Sequence, residues 1–402
     1  GGPTHMLEQI YSTATPKASK LIAKKQYLSA PELLTFPTGD GETAHGFLYK
    51  PTHPIYSPCR GEKPPLLVKS HGGPTTSTGT VWRMDIQYWT SRGFAVLDVD
   101  YRGSSGYGRD YRLKLTDKAG WGVLDVDDVC KGAQHLAKKG IVDPNRVCID
   151  GQSAGGTTCL AALTQSNVFK ASCSRYCIGD LTTLRTMNSS HKFEHRYLDR
   201  LVGQWPEQQN VYVERSPVSR VAQMKSAVLF LQGATDPIAT PAQAEAMHDA
   251  VKANGYPTSL LTFNDEGHGF KNHANIEHGH NAELYFYGRV FGFNPVFSDT
   301  TDPDNGGEYG AEEKRVRASV EAMPIQNEHA CKGKPSAGST PSLGFSYMGS
   351  KLREGWEAGQ ASNRATYKKI DNMQAAATAK LEAARAVYAE ATKKPKKNIK
   401  LT

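Results

Sequence analysis

The pentapeptide Gly151-Gln152-Ser153-Ala154-Gly155 constrains this chain more than any other stretch. An apolar run at 146–150 leads into it as a strand, and a small-residue run at 154–163 leads out as a helix. Few backbones accommodate so abrupt a change. A serine held at such a turn is conformationally strained, and glycines on both sides let neighbouring backbone approach without a β-carbon clash. The free N–H groups and the dipole at the start of the helix then face any negative charge that develops beside the serine. The pattern predicts that Ser153 is a nucleophile.

A serine of this kind needs a base and an acid that orients the base, and on an α/β-hydrolase sheet both follow the nucleophile in the order acid, then histidine. Asp236 follows the apolar strand 227–232 through Gly233-Ala234-Thr235, and Pro237 ends any ladder. His268 lies in Glu266-Gly267-His268-Gly269-Phe270, after the strand 259–263, with glycines on both sides to leave its ring free. A fourth element is the turn His71-Gly72-Gly73-Pro74 after the strand 66–70. Acyl transfer creates an oxyanion that needs two donors. The expected pair is the backbone N–H of Gly73 and that of Ala154. The predicted fold class is α/β: the α/β-hydrolase fold, with a mostly parallel central sheet, helices on both faces and a C-terminal helical or irregular extension.

Apolar runs place strands at 46–49, 66–70, 95–100, 146–150, 227–232 and 259–263. Between them, Val123, Val126, Val129, Ala133, Leu136 and Ala137 recur at helical spacing over 122–139, and Gly140 ends that helix as a left-handed residue. The catalytic domain is expected over 31–297, after a polar N-terminal extension at 1–30 of which Gly1 to Met6 reads as an appended or processed end. A linker opens at 298–307, rich in Asp, Thr and Gly. Within the tail at 298–402, the stretch 361–393 favours helix, and Ile370, Met373, Ala377, Leu381, Ala384 and Tyr388 form one apolar stripe. It suits docking on the domain, on a protein partner or in a homo-oligomer; a solvent-exposed tail helix is the alternative.

Charge and composition exclude several function classes. The net charge of +8 owes much to Lys393, Lys394, Lys396, Lys397 and Lys400, a solvated tail, and no basic block carries interleaved aromatics, so no nucleic-acid partner is expected. No apolar run reaches the roughly 20 residues that span a bilayer, and the N-terminus has no secretory core. Seven irregularly spaced cysteines favour buried free thiols in a reducing compartment. Cys173 and Cys177 read as core packing. The protein is expected to be soluble and intracellular, in the cytoplasm or an organelle lumen. His268, His273, His278 and His280 are close in sequence, but His268 already has a role, and neither a metal nor a cofactor is expected.

These blocks resemble the prolyl oligopeptidase family of serine peptidases, in its acylaminoacyl-peptidase-like branch. The resemblance runs over about residues 27–297. It rests on PPLLVKSHGGPT (64–75), QYWTSRGFAVLDVDYRGSSGYGRDYR (87–112), GWGVLDVDDV (120–129), VDPNRVCIDGQSAGG (142–156), HKFEHRYLDRLVG (191–203), ATDPIATPAQAEAM (234–247) and EGHGF with ELYFYGRVFGF (283–293). It implies the triad Ser153, Asp236 and His268, and an oxyanion hole at the His-Gly-Gly-Pro turn. Some relatives carry a tyrosine at the first position of that turn; His71 stands there in this chain. The block at 191–203 resembles a helix that lines the pocket for the residue before the scissile bond, with Phe193 and Tyr197 at its aromatic positions. The alternative is that both are core residues at four-residue helical spacing. Family members usually carry a β-propeller before the catalytic domain, and about thirty residues precede it here, so a catalytic domain lacking the propeller is expected.

The expected function is a serine-type peptidase acting on peptides or acyl-peptides through an acyl-enzyme. Two alternatives stand beside it. One is an esterase or amidase for small acyl substrates. The other is an accessory subunit that uses the hydrolase fold as a scaffold.

Overall fold

Successive strand residues point to opposite faces, and here both sets are apolar, which demands helices above and below the sheet. Leu66, Val68, Leu97, Ile149 and Phe230 enter one core, while Leu67, Val96, Cys148, Leu229 and Leu231 enter the other. The computed structural model describes residues 25–54, 61–186, 192–295, 297 and 311–320. All of them fall in the unit Lys24–Ser350. The proposed tail helix at 361–393 lies outside the described residues, as does the linker at 298–307.

Eight strands form one sheet in the spatial order β1-β2-β4-β3-β5-β6-β7-β8. They are β1 (Glu32–Pro37), β2 (Thr43–Tyr49), β3 (Leu66–Ser70), β4 (Ala95–Asp100), β5 (Val147–Gln152), β6 (Ala171–Arg175), β7 (Ala227–Gly233) and β8 (Thr258–Phe263). β1 and β2 are antiparallel, as are β2 and β4, and every later pairing is parallel. This is the α/β-hydrolase fold. The first core is covered by α3 (Leu124–Lys138), α4 (Ala154–Gln165) and α8 (Pro241–Ala253), and the second by α1 (Met84–Thr90), α9 (His273–Phe291) and α10 (Ala311–Val320). The remaining helices, α2 (Arg109–Asp117), α5 (Leu181–Thr186), α6 (Lys192–Leu201) and α7 (Gln209–Arg215), belong to the connections.

The six strands read from the sequence are all present; 66–70 and 95–100 keep both ends, and the other four have ends shifted by at most three residues. β1 and β6 were not anticipated. α3 buries Val126, Val129, Ala133 and Leu136 as its periodicity requires, and Gly140 is left-handed at φ 70°. Val123 departs from the expected stripe. It sits before the first turn of α3 and is 44% exposed, because Gly122 at φ 80° turns the chain there. α10 was also unexpected. Its Val316 and Val320 are buried in the second core, and the Ser319 carbonyl accepts a hydrogen bond from the Ser259 hydroxyl on the edge strand β8 at 2.8 Å.

A chain of ion pairs is built into the second face. Lys69 lies 2.5 Å from Asp150 and 3.4 Å from Asp85; Arg83 bridges Asp85 and Asp98 at 2.6 and 2.7 Å. Arg175 pairs with Glu283 and stands 3.6 Å from Asp150. Burial alone would lower the Lys69 ammonium, but Asp150 and Asp85 hold it above its usual range. These pairs join β3, β5 and β6 to α1 and α9 immediately below the strand ends that carry the site.

Candidate active site

In an open parallel sheet, the loops leaving the carboxyl ends of the strands share one crevice. Four such loops meet here, after β3, β5, β7 and β8. At the end of β5, Ser153 is held at φ 55°, ψ −124°, outside the regions that a non-glycine residue ordinarily occupies. Its N–H donates to the Arg175 carbonyl at 3.0 Å, and its own carbonyl accepts from Thr157 N–H at 3.1 Å. The glycines of the pentapeptide are required. A β-carbon on Gly151 would lie 2.4 Å from the Gly155 carbonyl oxygen.

Asp236, after β7, is buried, and both its oxygens are engaged. One accepts from Ile238 and Ala239 N–H at 2.8 and 3.0 Å, and the other lies 2.8 Å from His268 Nδ1. A carboxylate that only accepts requires the imidazole proton on Nδ1. Nε2 then presents its lone pair to the Ser153 hydroxyl, 2.9 Å away. The His268 loop is fastened to the Asp236 loop, because Thr235 donates to the Glu266 carbonyl through its N–H at 3.0 Å and its hydroxyl at 2.8 Å. The Glu266 carboxylate in turn accepts from Lys271 and Asn272 N–H, both at 2.8 Å.

The turn after β3 stands against the serine. A β-carbon on Gly72 would lie 3.0 Å from the Gln152 carbonyl oxygen and 3.5 Å from Ser153 Cβ, and Gly73 has φ 118°, which favours glycine. Tyr101 braces this turn. Its hydroxyl is 2.8 Å from the Pro74 carbonyl oxygen and 3.1 Å from that of His71, and its ring stacks on the His71 imidazole at 4.2 Å. Burial keeps that imidazole below its usual pKa and so favours the neutral form at pH 7. Ala154 opens α4, a twelve-residue helix whose first N–H groups have no partner within the helix. The Gly72-Gly73 turn and Ala154 thus flank Ser153 from two elements.

Tyr197 is half-buried on α6, and its hydroxyl shares a hydrogen bond with that of Thr75, two residues beyond Gly73. The backbone of Phe193 lies on the same helix, but its side chain lies outside the described residues. Sequence reasoning missed Tyr101, Thr75 and Tyr176. Tyr101 follows directly on β4, and Thr75 closes the turn five residues beyond β3, so position after a strand end was the signal for both. The histidine cluster is divided by the structure. His268 faces Ser153, while His273, His278 and His280 belong to α9. Among the described residues, the group whose donor atoms come close enough for a metal is Asp150, Cys173 and Glu283. Lys69 and Arg175 already balance its two carboxylates, which leaves no need for a cation.

The sequence pattern of the prolyl oligopeptidase family matches residues 81–294, more than half of the chain. The chain belongs to the prolyl oligopeptidase family. A solved puromycin-hydrolyzing peptidase of Mycobacterium tuberculosis is 42% identical with a TM-score of 0.65, over 67% of this chain and 40% of that one. A Bacillus subtilis peptidase, YuxL, is 27% identical over 259 residues, 62% of this chain and 37% of the relative. The acylamino-acid-releasing enzyme of Mus musculus is 28% identical over 228 residues, 54% of this chain and 30% of the enzyme. The chain therefore spans less than half the length of each of these prolyl oligopeptidase relatives. Among its described residues, no helix is long and apolar enough to cross a membrane.

Proposed function

We propose that this chain is a serine peptidase that hydrolyses peptide or acyl-peptide bonds, with Ser153 as nucleophile, His268 as general base and Asp236 as the group that orients it. The observation that carries this reading is the placing of His268 between Asp236 at 2.8 Å and Ser153 at 2.9 Å. In the proposed reaction, His268 takes the Ser153 proton as the oxygen attacks the substrate carbonyl. The N–H groups of Gly73 and Ala154 receive the oxyanion. His268 then protonates the leaving amine, and a water activated in the same way releases the acyl group. Tyr197, with Phe193, is proposed to wall the pocket for the residue before the scissile bond. Peptide or acyl-peptide is the proposed partner class, and a protein partner or second copy is proposed for the C-terminal extension.

A fluorophosphonate probe tests the reading directly. The full chain is expected to be labelled at Ser153, and Ser153→Ala is expected not to react. Labelling that persists in that variant overturns the assignment. The likeness to a puromycin-hydrolyzing peptidase favours a second reading, an amidase for small acyl-amide substrates. Comparing an acyl-peptide nitroanilide, puromycin and a short-chain nitrophenyl ester separates the two. Turnover confined to the small substrates removes the peptidase reading.

A further inference from the structure

The triad accounts for three side chains, but not for what keeps three separate loops in register around them. Tyr176 contacts β7 and the end of β5, which lead into two of them, and the His268 ring in the third. It follows β6 directly, and its φ of 36° lies in the left-handed region, where a bulky non-glycine residue is an outlier. Its N–H donates to the Leu231 carbonyl on β7, the strand that leads to Asp236, at 2.8 Å. Its hydroxyl donates to Gln152 Oε1, next to the nucleophile, at 2.6 Å. Its ring stands edge-on to the His268 imidazole, with centroids 5.1 Å apart and planes at 64°. Phe270 packs on Tyr176 as well, at 5.2 Å. The preceding residue is equally fixed, since the Arg175 carbonyl accepts the Ser153 N–H and its guanidinium is paired with Glu283.

We infer that Tyr176 is a positioning residue: its ring sets the plane of the His268 imidazole, while its hydroxyl and backbone tie the loops of Ser153 and Asp236 to that ring. The inference rests on the triad proposed above. Edge-to-face aromatic contacts have a preferred geometry, so the ring restricts rotation of the imidazole about its own axis. The left-handed backbone aims the ring at His268. An ordinary φ at residue 176 would swing it away from both contacts. Burial pushes the phenol up to about 12, so it stays neutral and keeps its proton for Gln152.

The test measures thermal stability, fluorophosphonate labelling rate, kcat and KM on a short-chain nitrophenyl ester, all with the full chain. Tyr176→Leu is expected to slow labelling and kcat by about 10- to 100-fold, with KM within about threefold, as for a misplacement below 1 Å. Tyr176→Phe restores the ring and is expected to recover the rate to within about fivefold. Wild-type labelling in folded Tyr176→Leu, or a loss carried by KM alone, overturns the inference. Should Tyr176→Leu not fold, Phe270→Leu frees the same ring from another neighbour and is expected to lower kcat about 3- to 10-fold. Unchanged kcat in that variant overturns the inference too. These outcomes are read only against a wild type whose labelling depends on Ser153; loss of that dependence overturns the triad instead.

Discussion

Gly155 lies so close to Ser70 that a β-carbon on it would come within 2.1 Å of the Ser70 carbonyl oxygen. The helix that follows Ser153 is thus seated directly on the strand that leads to the Gly72-Gly73 turn. Because the obstacle is backbone, no side-chain rotation relieves it. Gly155→Ala is expected to destabilise the fold by about 3 kcal/mol or more, at the upper end for overpacking, and to slow labelling of Ser153 in whatever remains folded. A melting temperature and a labelling rate equal to wild type would show that the contact is not constraining.

Asp236→Asn tests the tautomer. The two N–H groups of Ile238 and Ala239 demand an acceptor, so the asparagine oxygen must face them and its NH2 must face His268 Nδ1. That drives the imidazole proton onto Nε2, where it blocks proton removal from Ser153. The expected loss in kcat is about 10⁴-fold, as when the acid of a serine triad is replaced by its amide, with little change in far-UV circular dichroism. Activity within tenfold of wild type would remove Asp236 from its proposed role.

Asp125 offers a pH signature outside the triad. It is fully buried, accepting from Thr158 at 2.5 Å and Gly122 N–H at 2.6 Å, and burial raises its carboxyl to about 6 despite those bonds. A folded pKa above the unfolded one favours the folded state while the group is protonated. That contribution is complete below about 4 and is lost as pH rises through 6. Asp125→Asn lacks the titration, so its stability relative to wild type is expected to improve by about 2 kcal/mol between pH 4 and 7. Asp98 titrates in the same direction, raised to about 6 chiefly by burial, but it is common to both proteins and cancels. Urea unfolding at the two pH values measures the difference, and parallel curves would refute it.

Glu283 tests the ion pairs under the sheet. Glu283→Ala leaves the Arg175 guanidinium buried with Asp150 at 3.6 Å as its remaining charged partner, and is expected to cost about 3–5 kcal/mol. Removing both charges, in Arg175→Met with Glu283→Leu, is expected to cost less than the single change. A double variant less stable than Glu283→Ala would mean that the pair itself is strongly stabilising.

The candidate site was legible where its proposed chemistry is written in chain order. A serine elbow, then an acid after a strand, then a histidine between glycines has few other meanings, and apolar runs marked the strands beneath. β6 was hidden because Ala-Ser-Cys-Ser-Arg has no β-branched and no large apolar residue. The small residues are needed, since Ser174 is fully buried and its hydroxyl donates to the Gly156 carbonyl on α4 at 3.0 Å. β1 escaped because it is a half-exposed edge with Leu33 at 64%. Tyr176 was invisible for a different reason. Its conformation and contacts are set by three other segments, and nothing local in Arg175-Tyr176-Cys177 encodes them.

α10 changes where this domain can be cut. A fragment stopped at Phe297, where composition alone puts the boundary, would lose Val316 and Val320 and leave the Ser259 hydroxyl on β8 without its acceptor. The uncovered seam would be apolar and next to an unpaired sheet edge, a surface on which copies of the fragment stick to one another. A fragment for expression is therefore expected to need the chain at least through Val320.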